Sequence, residues 1–96
     1  MKIDGHRSVA ALEYERIAKS KSRYVRKIQD YYDYEDIKAV FYICDNKTIE
    51  KSILEIDRKV GDNDKPKFFV CLAKDVQKGS SKLTFRNFKD QKITIS

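Results

Sequence analysis

Ile37-Lys38-Ala39-Val40-Phe41-Tyr42-Ile43-Cys44 is the stretch that decides the fold. Apart from Lys38 it is an unbroken run of apolar and β-favouring side chains, the pattern of a strand covered on both faces at the centre of a sheet. Downstream, Asp45 or Asn46 can cap a helix in which Ile49, Ile53, Ile56 and Val60 recur at helical spacing, and Gly61 ends it. Gly61 to Pro66 is turn chemistry, and Lys67 to Ala73 reads as a third strand. Upstream, Tyr24, Ile28 and Tyr31, with Val25 and Tyr32 alongside, predict a helix over 18–33. Before it, the apolar run Val9 to Leu12 leads into Glu13-Tyr14-Glu15 and predicts a strand over 7–15, with the turn signal Asp4-Gly5 just ahead.

The order is therefore β-α-β-α-β, and each helix must pack its apolar stripe back onto the sheet. An α/β sandwich follows, either three-layered or open and two-layered, with a parallel sheet and right-handed crossovers. After Lys74 the chain changes character: Gln77 to Lys82 is a polar loop, and Leu83 to Ser96 alternates weakly. That tail reads as a hairpin at the sheet edge or a loose end.

Ninety-six residues suffice for one hydrophobic core, so residues 1–96 read as one domain. With 41% hydrophobic and 38% charged residues, the chain has a core to bury and a charged surface to expose. The formal charge is +6, which favours a polyanionic partner, nucleic acid first. Cys44 and Cys71 each lie inside an apolar run and read as reduced core residues of a cytoplasmic protein. No stretch is apolar enough over sufficient length to span a membrane, and no Gly-rich phosphate loop is present. The lone histidine, His6, has no obvious second ligand and reads as a surface residue.

Residues two apart in a strand share a face, so Glu13 and Glu15 are presented together at the strand's carboxyl end, where open α/β sheets place their ligand sites. Paired carboxylates suit Mg²⁺ or Mn²⁺, which can polarise a phosphodiester. Six basic residues follow within twelve positions: Arg16, Lys19, Lys21, Arg23, Arg26 and Lys27. They can hold phosphates by charge, aided by backbone N–H groups at the start of the helix. The plainer alternative is a strand end ion-paired to Arg16 or Lys19, beside a solvated helix face with Tyr24, Ile28 and Tyr31 turned inward.

The stretch Ala11-Leu12-Glu13-Tyr14-Glu15-Arg16-Ile17-Ala18-Lys19-Ser20, then Arg23-Tyr24, Tyr31-Tyr32 and the strand Val40 to Ile43, resembles the C-terminal part of the replication-relaxation family. That family groups plasmid replication and mobilization proteins, including relaxases, and is similar to the PD-(D/E)XK nuclease fold. The resemblance implies a restriction-endonuclease-like domain in which Glu13 is the strand acid, Glu15 the next active-face position and Lys19 a lysine displaced to the helix start. Glu13 and Glu15 would be metal ligands, with Mg²⁺ or Mn²⁺ as cofactor. DNA and other replication or mobilization proteins are the implied partners. The pattern also needs an acid on a preceding strand. If Asp4-Gly5 is a hairpin turn, that acid falls before residue 1, and the chain reads as the C-terminal fragment of a longer protein. The alternative is a non-catalytic DNA-binding or protein-docking module on the same fold.

Overall fold

The computed structural model describes residues 2–3, 8–76 and 82–95, with side chains from Ala10 onward. Along the chain run β1 (Lys2–Ile3), β2 (Ser8–Glu15), α1 (Lys21–Asp33), β3 (Ile37–Cys44), α2 (Lys47–Val60), β4 (Phe68–Leu72), α3 (Ala73–Val76), β5 (Leu83–Arg86) and β6 (Lys92–Ile95). The strands form one six-stranded sheet in sequence order. β2, β3 and β4 are parallel, while β1 and the β5–β6 hairpin add antiparallel edges. The expected β-α-β-α-β centre is present, and the weakly alternating tail takes the hairpin form. His6, the Asp4-Gly5 turn and most of the polar loop (77–81) lie outside the described residues.

Alternation along the strands separates two cores. Ala11, Val40, Tyr42, Cys44, Phe68 and Val70 face the helices and meet Tyr24 and Ile28 of α1 and Ile49, Ile53 and Ile56 of α2. Ala39, Phe41, Phe69, Cys71 and Phe85 form the second core, on the opposite face. There the Phe41 ring meets Phe85 edge-on at 4.9 Å between centroids. Both long helices lie on one face and pack on each other, so the open two-layer alternative holds. Because Ile43 pairs with Cys71, Cys44 and Cys71 point to opposite faces; both are free and buried. Burial pushes their thiols up to about 12 and about 11, which keeps them protonated and inert.

Helix α1 begins at Lys21 and not at Ala18, because Ser20 takes the N-cap and its hydroxyl accepts from the Arg23 N–H. Its far end is held by Lys67, whose Nζ donates to the carbonyls of Tyr31 at 2.9 Å and Tyr34 at 3.1 Å. Beside it the Tyr32 hydroxyl donates to Asp57 of α2 and accepts from the Lys67 N–H at 3.0 Å. Gly61 closes α2 directly above this pair, and a Cβ there would fall inside van der Waals contact with both Asp57 and the Tyr32 ring. Close approach, not a left-handed backbone, demands this glycine.

Asp57 is fully buried, and its Oδ2 has no hydrogen-bond partner among the described residues. Desolvation outweighs the Tyr32 hydrogen bond and pushes the carboxyl up to about 6, from an ordinary value of 3.8. A pKa higher in the folded than in the unfolded state means that the associated stability is complete below the ordinary value and is lost as pH rises through about 6. Asp57→Asn is therefore expected to raise unfolding free energy by about 2–3 kcal/mol near pH 8 and to change little near pH 4. Urea melts at the two pH values check this; an equal effect at both would remove Asp57 as the titrating group.

Candidate nucleic-acid interface

β2 carries Glu13 and Glu15 on the helix-facing side, as the strand period requires, while Leu12 and Tyr14 turn to the other face. Each carboxylate is met by a lysine from the segment that follows. Lys27 of α1 approaches Glu13 at 2.9 Å, and the Tyr31 hydroxyl donates to the same Oε2 at 2.6 Å. Lys19, in the β2–α1 connection, donates to both oxygens of Glu15, which is buried. The ion pair anticipated between Glu15 and Lys19 thus forms, with the carboxylate buried and the lysine only partly so.

Desolvation pushes the Glu13 carboxyl up, yet the Tyr31 hydrogen bond and the Lys27 ammonium together outweigh it, and its net pKa lies below the ordinary 4.5. Burial and the neighbouring Glu13 charge push the Tyr31 hydroxyl up, so it remains a donor at neutral pH. Tyr42 lies opposite Glu13 on β3, and burial raises its pKa as well. The acid pair therefore sits in a frame of tyrosines and lysines.

The basic residues divide into two sets. Lys19 and Lys27 are half-buried and tied to the acid pair. Arg16, Lys21, Arg23 and Arg26 are exposed, with no ion pair among the described residues. Lys19, Arg23, Arg26 and Lys27, together with Ser22 and Asp30, line a cleft of about 370 Å³ on α1. Around Lys19 this cleft adjoins a second one between α1 and α2, where Lys21, Ser52 and Lys59 stand. Lys59 was outside the sequence-based set because it lies 32 residues beyond Lys27, and only the packing of α2 on α1 brings it near.

Among the pairings that escaped the sequence reading are Glu13 with Tyr31 and Lys27, Tyr32 with Asp57, and Glu50 with Arg86 at 3.3 Å. Asp57 alone left a signal, since it follows Ile53 by four positions and so falls on the apolar stripe of α2.

No group of three or more His, Cys, Asp or Glu side chains able to hold a metal occurs among the described residues. Two carboxylates with water and substrate oxygens can suffice for Mg²⁺. Here, however, both are already neutralised by ammonium groups, so a divalent ion would have to displace Lys19 and Lys27. Among the described residues no helix is long and apolar enough to cross a membrane. Comparison with family models, with curated proteins and with solved structures gave no match in any of the three.

The depressed Glu13 pKa implies that its share of stability is present above the ordinary value and lost as pH falls through the folded one. A carboxyl carbon titration followed by NMR should place the Glu13 midpoint below 4.5, and Lys27→Met should move it upward. An unchanged midpoint in the variant would mean that the lysine does not sit on the carboxylate in solution.

Proposed function

We propose that this domain binds DNA through the basic face of α1, as a nuclease-like module of a cytoplasmic plasmid replication or mobilization protein. The observation that carries the reading is the uncompensated charge of α1. Cations disfavour the positive end of a helix dipole, and α1 has no acidic residue in its first turn although Lys21 and Arg23 stand there. Helix α2 of the same molecule follows the favourable rule, with Glu50 in its first turn and Arg58 and Lys59 in its last. A phosphate backbone seated against Arg23 and Arg26 relieves the arrangement in α1, and its release of counterions supplies the affinity.

In the catalytic form of this reading, Glu13 and Glu15 hold Mg²⁺ or Mn²⁺, which would supply positive charge to the scissile phosphodiester, and Lys19 stabilises phosphate charge. The ion-paired state of both carboxylates favours the second form, a non-catalytic module in which the acids position Lys19 and Lys27 at the wall of the cleft. Both forms use the same DNA-binding face, with Arg16 and Lys21 at its margin. The restriction-endonuclease-like assignment and the replication or mobilization partners rest on the family resemblance, whose most specific stretch is Leu12 to Tyr24.

Arg23→Glu with Arg26→Glu is expected to lower duplex DNA affinity by roughly tenfold or more and to reduce the salt dependence by about two phosphate contacts, without changing the melt. Fluorescence anisotropy over a salt series measures both, and unchanged binding removes α1 from the interface. Mn²⁺ titration of the labelled chain decides between the two forms. Selective paramagnetic broadening at Glu13, Glu15 and Lys19 supports the metal-dependent one, while its absence leaves the non-catalytic one.

A further inference from the structure

Helix α1 carries its charges in the order opposite to the one its dipole favours. Lys21, Arg23, Arg26 and Lys27 occupy its first two turns, with no acid in the first, while Asp30 and Asp33 stand in its last turn, where there is no base. Lys67 supplies a cation to the carbonyl end from outside the helix, so the charge at the amino end is left without compensation. An arrangement that costs helix stability at that end points to a role beyond holding the fold.

The outer face of the same helix has its own chemistry. Ser22, Arg26 and Gln29 recur at spacings of four and three on the side away from the buried Tyr24 and Ile28, and all three are exposed. The side chains of Arg26 and Gln29 have no hydrogen-bond or ion-pair partner among the described residues. Val25 stands half-buried beside them.

Clefts flank this ridge on both sides. Arg23 and Lys27 line the one of about 370 Å³, and on the other flank Lys21 faces Ser52 and Lys59 of α2 across a cleft of about 180 Å³. A helix seated in the major groove has a phosphate strand on either side, whereas a single-strand site combines one basic track with exposed aromatic rings. No ring on α1 is free for stacking, because Tyr24 is buried and Tyr31 and Tyr32 are tied to Glu13 and Asp57.

We propose that α1 is a major-groove reader in which Arg26 and Gln29 select adjacent G·C and A·T base pairs. The inference rests on the DNA reading and extends it from backbone affinity to sequence selection. Arginine pairs bidentately with guanine O6 and N7, and glutamine with adenine N6 and N7. Helix residues three apart in the groove meet successive base pairs, which is the spacing of Arg26 and Gln29. Lys21 and Lys59 hold the phosphates of one strand and Arg23 those of the other. Asp30 and Asp33 repel phosphate at the far end, so the helix enters the groove by its cationic amino end.

The test is enrichment of binding sites for the full chain from a randomised duplex library, followed by fluorescence anisotropy on the enriched duplex. The expected site contains adjacent G·C and A·T pairs, and replacing either pair should cost roughly tenfold in affinity. Gln29→Ala should abolish the preference at the A·T pair and Arg26→Ala that at the G·C pair, whereas Lys59→Met should weaken all duplexes alike and lower the salt dependence by about one phosphate contact. All three positions are exposed, and unchanged thermal melts verify that the variants fold. Duplex binding without an enriched site, a preference that survives both ridge variants, or tighter binding to single strands overturns the inference while leaving α1 a DNA-binding face. Absence of binding to any DNA overturns the DNA reading itself, and this inference with it.

Discussion

Two parallel crossovers that advance the same way across a sheet, each of the same hand, place their helices on the same face. In this chain β2, β3 and β4 advance in that manner, so α1 and α2 share one side and pack on each other. The rest of the molecule follows from that constraint. Tyr32 of α1 can meet Asp57 of α2, and Gly61 can close over both, only because the helices are neighbours. The other face of the sheet is left without a long helix, and α3 and the β5–β6 hairpin supply its apolar cover through Val76, Leu83, Phe85 and Ile95.

The same constraint sets α1 against β2 and makes the charged site. A helix that must lie over β2 brings Tyr24 and Ile28 into the core, and one flank of it then stands above the carboxyl half of the strand. Lys27 and Tyr31 on that flank converge on Glu13, and the connection before the helix lays Lys19 on Glu15. Four opposite charges are consumed in holding strand to helix. Arg16, Lys21, Arg23 and Arg26 keep no ion pair among the described residues, and Lys21 and Arg23 stand in the first turn of the helix, where positive charge is least comfortable.

The buried Asp57 is a different kind of feature. Its second oxygen has no hydrogen-bond partner among the described residues, and its ionisation opposes folding at neutral pH. A polar contact between α1 and α2 fixes how the two helices meet, at a cost in stability that an apolar contact would not incur. The lysine at the end of α1 works with it, since Lys67 binds the tyrosine hydroxyl through its backbone and the helix carbonyls through its side chain.

Strand and helix identity were legible from local pattern: the unbroken run at β3, the helical recurrence of isoleucines in α2, and the two-residue period that put Glu13 and Glu15 on one face. These features depend on neighbours within a few positions, where periodicity is a direct consequence of backbone geometry. The start of α1 was displaced by three residues because Ser20 competes for the cap, a choice settled by one hydrogen bond. What only the tertiary structure decided were the partners. Glu13 is 18 positions from Tyr31, and Tyr32 is 25 from Asp57, so nothing local marks them as pairs. Whether an acid carries a free charge or a neutralised one depends on which surfaces the fold brings together; the sequence by itself determines only the faces available to meet.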